Sequence, residues 1–310
     1  MDRVLIVGGA GYIGGQIAKD NPEWDVYDSL IYEKYFYLPN KFIFGDIRDT
    51  KKLSKILPNY DTVIWLAAVV GDGACLLNPI LTKEVNEYAT RWLVENYDGR
   101  IIFPSSCSVY GSSEGLLTEE SKLNPLSLYA LTKINSEKIL MEHNNVLIFR
   151  LGTIFGCSIR PRFDLVVNTL TAHAYINKKI KVFGGEQWRP NIHVKDIAKL
   201  IGDVSVRSET GIYNLANENM KIIDIAHIVK RNISSTKLIV TESPFEDNRN
   251  YKADCSKLKN TFDFVPEYSI DMGVKEMLNF LKSGRVKNPF DSNFHNARYM
   301  HEYFEKNGEE

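Results

Sequence analysis

Short, nearly continuous apolar segments alternate with longer amphipathic segments through the first half of the chain. The apolar segments lie at residues 4–7, 24–28, 41–44, 62–66, 100–103 and 146–149. Strands that are apolar on both faces and separated by helical crossovers are typical of a parallel sheet covered by helices on both sides. The pattern therefore predicts an α/β fold with a doubly wound parallel sheet.

The pattern changes after residue 150. Shorter strand-like segments, at 180–183, 212–214 and 238–240, mix there with amphipathic helical segments, near 163–177, 194–204, 222–231 and 270–281. This mixture predicts a smaller α+β lobe, so we divide the chain into residues 1–155 and 156–310. Residues 293–310 alternate polar and aromatic side chains, and we expect either a peripheral helix or a frayed tail.

The first apolar segment runs directly into the stretch GGAGYIG at residues 8–14, after which a helical pattern begins. Backbone N–H groups at a helix start carry partial positive charge, and a pyrophosphate reaches them only where no Cβ is in the way. The glycine spacing is the GxxGxxG variant of the dinucleotide-binding fingerprint. Contacts to the cofactor are therefore predicted from Gly8, Gly11, Tyr12, Ile13 and Gly14.

Asp28 ends the second predicted strand and follows Gly8 by 20 positions. The fingerprint has a carboxylate at about this distance, where it hydrogen-bonds the adenosine ribose. A carboxylate there repels a 2′-phosphate, so Asp28 favours NAD over NADP. We predict that residues 1–155 form a Rossmann-type NAD-binding domain and that residues 156–310 bind mainly the substrate.

Composition excludes several partner classes. The 310-residue chain has a formal net charge of −1, which provides no electrostatic footprint for nucleic acid or a membrane surface. The four cysteines lie far apart without metal-ligand spacing, which predicts free thiols, a reducing compartment and no metal site. No targeting segment or membrane-length apolar run is recognisable, so we expect a cytoplasmic protein.

A tyrosine and a lysine lie four residues apart in a predicted helix near residues 125–143. This spacing puts Tyr129 and Lys133 on one helix face. A lysine charge lowers the pKa of a nearby phenol, and such a phenol can take a proton from a secondary alcohol while hydride leaves the same carbon. The stretch PSSCSVYG at 104–111 ends the fifth predicted strand and offers hydroxyls for the same reacting oxygen.

Taken together, these motifs resemble the extended short-chain dehydrogenases/reductases that act on nucleotide sugars. The resemblance rests on the motifs above and on GDI at 45–47, LAA at 66–68, FGG at 183–185 and WRPNIHVKD at 188–196. It covers almost the whole chain. It implies an NAD-dependent enzyme with a nucleotide-sugar substrate.

The resemblance also implies roles for individual residues. Tyr129 is the base, Lys133 holds the nicotinamide ribose and tunes Tyr129, and Ser106 bonds the C4 oxygen of the sugar. Further cofactor contacts are implied beside the adenine, along the cofactor channel and at the active-site loop, from Asp46, Ile47, Ala67, Ala68 and Asn86.

Substrate contacts are implied in the second half of the chain. Arg189 matches an arginine that clamps the substrate diphosphate, and Arg249 is expected to do the same from the other side. Arg160 and Arg162 are expected to contact phosphate or sugar hydroxyls or, alternatively, to face solvent. Asn168, on the helix that follows them, is included among the substrate contacts.

Departures from the family pattern narrow the chemistry. The 4,6-dehydratases carry an Asp-Glu pair directly after the catalytic hydroxyl, whereas this chain has Cys107 and Ser108, so dehydration is not predicted. Cys107 is assigned either a substrate contact, with His173 as a partner in 3,5-epimerase/reductase chemistry, or a buried structural position. Thr153 replaces the usual asparagine after the sixth strand.

We predict NAD-dependent oxidation at C4 of a nucleotide-linked sugar, by a dehydrogenase or a 4-epimerase, for surface polysaccharide precursors. Residues 69–75 and 158–168 resemble the nucleotide-heptose C4 dehydrogenase branch, which suggests GDP-heptose. The alternatives are a 4-keto-sugar reductase, a 3,5-epimerase/reductase and a non-enzymatic NAD-sensing module. The resemblance further implies a homodimer formed by the helices near 79–97 and 126–143, although their apolar residues could equally be core.

Overall fold

The computed structural model describes residues 3–33, 36–241 and 249–307, and within them seven strands form one parallel sheet. Its order is β3-β2-β1-β4-β5-β7-β11, where the strands are β1 (Val4–Val7), β2 (Asp25–Asp28), β3 (Phe42–Phe44), β4 (Thr62–Trp65), β5 (Arg100–Ser106), β7 (Val146–Leu151) and β11 (Gly211–Leu215). Every neighbouring pair is parallel. The strand order reverses between β1 and β4, which is where Rossmann folds bind dinucleotides. The predicted α/β fold is confirmed.

Helices cover both faces of this sheet. Those of the first half are α1 (Tyr12–Asp20), α2 (Thr50–Ile56), α3 (Asp72–Leu77), α4 (Pro79–Lys83), α5 (Ala89–Asn96) and α6 (Leu128–Leu140). Because side chains alternate along a strand, Ile6 packs into the core on one face and Leu5 into the core on the other. The long helix predicted near residues 79–97 is divided by a π-helical turn at Glu84–Tyr88.

The second half forms smaller sheets and further helices. The strands are β6 (Ser112–Leu117), β8 (Thr153–Phe155), β9 (Lys179–Phe183), β10 (Trp188–His193), β12 (Glu218–Lys221), β13 (Lys237–Thr241) and β14 (Asn250–Ala253). The helices are α7 (Val166–Asn177), α8 (Val194–Val204), α9 (Ile222–Asn232), α10 (Ser256–Phe262), α11 (Ile270–Lys282) and α12 (Asn296–Asn307). Strands pair as β12-β10-β8, β13-β9 and β14-β6.

The two halves interlock more than the predicted division implies. The strand predicted at 212–214 in the smaller lobe is β11, which pairs with β7 in the large sheet. Helix α8 packs on α1, also on the large sheet. A short apolar segment does not specify which strand it pairs with, so its place could not be deduced from the pattern. The division at residue 155 remains a prediction.

The C-terminal segment forms helix α12, the first of the two alternatives expected for it. Met300 is fully buried and Phe304 is 8% exposed, and both pack against Ala74 and Cys75 of α3. Helix α3 itself was not among the helices predicted from the sequence. Among the described residues, no helix is long and apolar enough to cross a bilayer.

Candidate active site

A cavity of about 1550 Å³ runs along the carboxyl ends of β1, β2, β3, β4, β5 and β7 and continues between them and the second half of the chain. Pockets for one small ligand usually measure roughly 300–1,000 Å³. This cavity therefore has room for a dinucleotide and a second ligand side by side.

The glycine turn after β1 forms a cradle at one end of the cavity. Gly8 has a φ of +89°, and a Cβ on it would lie 2.5 Å from the Ala67 backbone nitrogen. A Cβ on Gly14 would lie 2.3 Å from the Gly8 carbonyl oxygen. Gly11 is the N-cap of α1, so the helix start faces the cavity without a side chain. This geometry fits a pyrophosphate bound at a helix N-terminus.

Asp28 supports the cradle from the end of β2. Its carboxylate accepts hydrogen bonds from the backbone nitrogens of Ala10, at 2.9 Å, and Leu30, at 2.7 Å. Burial raises the pKa of the Asp28 carboxyl, and these two hydrogen bonds act in the opposite direction. Asp28 lines the cavity, as do the other predicted cofactor contacts Ile13, Asp46, Ile47, Ala67 and Ala68.

Tyr12 has a second function in the structure. Its hydroxyl donates a 2.6 Å hydrogen bond to the Gly156 carbonyl, so the first turn of α1 is tied to the loop after β8. Ser158 strengthens this connection by donating to the Tyr12 carbonyl at 2.5 Å.

Ser106, Tyr129 and Lys133 all line the cavity beside the cradle. Ser106 ends β5, and its hydroxyl hydrogen-bonds with the Tyr129 phenol. Tyr129 lies in the first turn of α6, which Ser127 caps by accepting a hydrogen bond from the Ala130 nitrogen. The Lys133 Nζ lies 5.9 Å from the centroid of the Tyr129 ring and donates to the Pro104 carbonyl at 2.9 Å.

Burial dominates the electrostatics of this group. It raises the pKa of the Tyr129 phenol, while the Arg162 charge and the Ser106 hydrogen bond act to lower it. Burial also lowers the pKa of Lys133 to about 8. From the sequence we expected Lys133 to lower the pKa of the phenol. In the structure this pKa is raised, because desolvation of the phenol outweighs the charges around it.

A buried ion pair connects the elements that carry these residues. Glu137, one turn after Lys133 on α6, bonds Arg150 of β7 at 2.8 Å, and both side chains are 4% exposed. The Ser105 hydroxyl, next to Ser106, donates to Glu137 at 2.5 Å. This pair was not predicted, although a carboxylate four residues after Lys133 on the same helix face was a visible signal in the sequence.

Burial decides two predicted substrate contacts, Cys107 and Asn168. Cys107 is fully buried and donates to the Arg150 carbonyl at 3.2 Å, so the thiol is not a substrate contact and occupies the buried structural position expected as the alternative. His173 borders the cavity, whereas Cys107 lies in the core. The cysteine–histidine pair that 3,5-epimerase/reductase chemistry would use is therefore not formed. Asn168 is also fully buried, and it accepts from the Gly156 nitrogen and donates to the Arg162 carbonyl. Its role is to hold the loop at 156–162.

Asn86 was expected to bridge the cofactor and the active-site loop. Its amide bonds both the N–H, at 2.9 Å, and the carbonyl, at 3.0 Å, of Val69, and it also donates to the Thr132 hydroxyl. Asn86 therefore connects the loop after β4 to α6, and its contact to the cofactor stays a prediction. A motif match places a residue in the chain but leaves the direction of its side chain open.

The four predicted arginines all border the cavity. Arg160 and Arg162 are 3% and 9% exposed, which excludes the solvent-facing alternative. Arg162 pairs with Asp164 at 2.9 Å and influences the pKa of Tyr129, so it lies on the catalytic side. Arg189 donates to the Arg249 carbonyl.

Arg249 in turn connects the two halves of the chain through an ion pair with Asp72, 3.4 Å away, at the start of α3. Two lysines of β9, Lys179 and Lys181, border the same far end of the cavity and were not predicted. The two lysines alternate with buried residues along this strand, and this alternation could have predicted that they share one exposed face.

The fold and this arrangement of residues define a Rossmann-type enzyme with a dinucleotide cradle beside a serine, a tyrosine and a lysine. A family model described as the NAD dependent epimerase/dehydratase family matches residues 4–216. The chain belongs to this family, and its cofactor is NAD.

Curated relatives match over almost their whole length. A UDP-glucuronate 4-epimerase of Thermodesulfobacterium geofontis is 29% identical, over 91% of this chain and 97% of the relative. A putative UDP-glucose 4-epimerase of Methanocaldococcus jannaschii is 27% identical, over 90% of this chain and 98% of the relative. The solved UDP-glucose 4-epimerase of Thermus thermophilus, in complex with NAD, has a TM-score of 0.80 at 21% identity and covers 92% of this chain and 100% of that one. At that identity the structure supports the fold.

Proposed function

We propose that this enzyme oxidises the C4 hydroxyl of a nucleotide-linked sugar. The observation that carries the proposal is the meeting of Ser106, Tyr129 and Lys133 in the cavity that also holds the glycine cradle. NAD, when bound, supplies the hydride acceptor. Tyr129, as phenolate, takes the proton of the C4 hydroxyl, and Ser106 holds the same oxygen. In this proposal Lys133 holds the nicotinamide ribose, and its charge near the Tyr129 ring opposes the desolvation that raises the pKa of the phenol.

The far end of the cavity supports a nucleotide diphosphate as the rest of the substrate. Arg189 is 5% exposed and meets Arg249 there, and a guanidinium bonds a diphosphate with two parallel hydrogen bonds. The relatives described above are named for epimerisation at C4 of UDP-sugars. GDP-heptose remains our first test substrate, because residues 69–75 and 158–168 resemble that branch, and surface polysaccharide synthesis is the pathway class proposed.

The chain's departures from related chemistries favour this assignment. Cys107 and Ser108 stand where 4,6-dehydratases have their acid and base, and Cys107 is buried in the core. At these two positions the chain therefore lacks the acid and the base that would catalyse the loss of water. Return of the hydride to the opposite face of the ketone makes an epimerase, and release of the ketone makes a dehydrogenase.

The test offers the purified enzyme UDP-, GDP-, dTDP- and CDP-sugars, including heptoses, with NAD, and analyses the products by NMR. The proposal predicts either an inverted C4 centre without lasting NADH or a 4-keto sugar with NADH. Conversion at another carbon with C4 untouched would contradict it.

We also propose that a second copy of the chain covers an apolar face formed by α3, α4, the π-helical turn and α6. Leu76, Ile80, Tyr88 and Leu131 are 63%, 74%, 61% and 42% exposed on these elements. Ala89, Leu93 and Ile134, which the sequence offered for the same interface, are buried within the chain. Light scattering at micromolar concentration should report a dimer, and a monomer would refute this proposal.

A further inference from the structure

The C-terminal helix closes over the cofactor end of the cavity. Its first residue, Asn296, donates from its backbone nitrogen to Asp164 at 3.0 Å and from its amide to the Val70 carbonyl at 3.2 Å. Tyr299 and Tyr303, on the same helix, line the cavity that also contains the glycine cradle. Helix α12 therefore connects the loop after β4 with the loop after β8, and both loops border the cofactor site.

Arg160 is held beneath this helix with few partners. One of its terminal nitrogens, Nη2, donates to the Asn296 side chain at 2.9 Å, and its guanidinium lies 4.4 Å from the centroid of the Tyr32 ring. Its Nε lies 3.5 Å from the Glu33 carboxylate, and within the described residues that Nε has no hydrogen-bond partner. A guanidinium carries five N–H donors, and burying unsatisfied ones is costly. Its Nε is enclosed beside Glu33, but Arg160 borders the cavity, so the terminal nitrogens of the guanidinium can donate to a ligand there.

The neighbours of Arg160 place it on the cofactor side. Tyr32 and Glu33 belong to the segment that follows β2, and the Arg160 charge acts on Asp28 at the end of that strand. Asp28 is the carboxylate predicted to bind the adenosine ribose. Arg160 is predicted from the sequence to contact the substrate, because its segment opens the second half of the chain; its neighbours in the structure favour the cofactor instead.

We propose that Arg160, held by Asn296 and Tyr32, binds NAD by donating to an oxygen of its pyrophosphate or adenosine ribose, and that α12 covers the bound cofactor and slows its release. NAD carries an anionic diphosphate and ribose oxygens. A guanidinium presents its N–H groups as a fork that matches such acceptor oxygens, and this match defines the class of ligand. The proposal depends on NAD as the cofactor and not on which carbon of the sugar is oxidised.

The experiment compares Arg160→Met, Arg160→Lys and Asn296→Ala with the wild type. Arg298→Met is the matched control, because Arg298 lies exposed on the same helix. Each protein is purified without added nucleotide, its NAD content is measured after acid release, and the release rate is measured by dilution without any nucleotide sugar. We expect Arg160→Met and Asn296→Ala to release NAD about tenfold faster or more. Arg160→Lys should be intermediate, and Arg298→Met should match the wild type.

Two results would overturn the proposal. One is unchanged NAD release in Arg160→Met with a raised KM for the nucleotide sugar, which would return Arg160 to the substrate site. The other is equal loss of NAD in the Arg298→Met control. If Arg160→Met fails to fold, as judged by circular dichroism, Asn296→Ala decides, because it keeps the arginine and removes the side chain through which α12 holds both Arg160 and the Val70 carbonyl. Failure of C4 oxidation would leave all of these readouts unchanged.

Discussion

The two ends of the cavity are built differently. At the cofactor end, Lys133, Asn86 and the Glu137–Arg150 pair are buried and held by short hydrogen bonds between the large sheet and α6. At the nucleotide end, strand β9 pairs with β13 in a two-stranded sheet and presents Lys179 and Lys181 as exposed side chains.

This difference has a functional meaning. Hydride and proton transfer require fixed geometry, which buried and interlocked side chains provide. Recognition of a particular nucleotide tolerates contacts from exposed side chains on a peripheral strand. We therefore expect the chemistry to reside at the first end and the choice of nucleotide at the second. Substitutions at the two ends should separate these properties.

The largest effect is expected from removal of the proton acceptor. Tyr129→Phe deletes the phenolic oxygen but preserves the ring, so kcat should fall by about 10²–10⁴-fold while bound NAD is retained. Tyr37→Phe is the matched control, since Tyr37 is exposed and lies outside the cavity. Steady-state kinetics measure both, and near-normal turnover of Tyr129→Phe would remove Tyr129 from the mechanism.

The second prediction tests the rigidity of the cofactor end. Glu137→Gln leaves Arg150 charged and buried without its partner, which should lower the free energy of unfolding by about 3–5 kcal/mol. Glu142→Gln provides the control, because Glu142 pairs with Arg91 at the surface, where solvent screens the pair and its loss should change stability little. Urea denaturation measures the free energy of unfolding of both variants. Equal losses would mean that the buried pair stabilises the fold no more than the surface pair does.

The third prediction concerns the pH dependence of stability. The pKa of Lys133 is about 8 in the folded chain, against about 10.4 for an exposed lysine. Between these pH values the unfolded state binds the proton of this lysine and the folded state does not, so the contribution of Lys133 to the free energy of unfolding rises with pH. Buried thiols such as Cys75, whose pKa is raised by burial, titrate in the wild type and in Lys133→Met alike, so the difference between these two proteins isolates the lysine. Relative to Lys133→Met, the wild type should gain about 3 kcal/mol by pH ~10.5. Lys138→Met, an exposed lysine of the same helix, should keep the gain.

The smallest effect is expected at the nucleotide end. Lys181→Met removes one exposed charge beside the bound nucleotide, so KM should rise by about twofold to fivefold with kcat unchanged. Lys237→Met, on the paired strand β13, should leave KM unaltered. A fall in kcat with constant KM would mean that Lys181 acts in the chemical step. The proposed division, with chemistry at one end of the cavity and nucleotide recognition at the other, would then be wrong.

Much of the fold followed from local patterns in the sequence. Apolar strands and a glycine turn are local features, and they correctly predicted the parallel sheet and a glycine cradle at its edge. The pairing of β11 with β7 could not be predicted, because it depends on long-range topology that a five-residue apolar segment does not encode.

The sequence predicted which residues lie at the site better than it predicted which way their side chains point. Motif spacing brought Ser106, Tyr129 and Lys133 to the same cavity. It did not distinguish a side chain that faces the ligand from one that holds a loop, and Cys107 and Asn168 turned out to face inward. The contact between Arg160 and Asn296 joins residues 136 positions apart, so only the tertiary structure brings α12 to the cofactor.

The most direct test of the central claim follows the hydrogen on C4. A nucleotide sugar that the enzyme converts is prepared with deuterium at C4, and the isotope is traced by mass spectrometry in product and cofactor. C4 oxidation predicts a primary isotope effect, with deuterium passing to the nicotinamide and then either staying there or returning to C4. Product formation with no isotope effect and no deuterium in the nicotinamide at any time would contradict oxidation at C4.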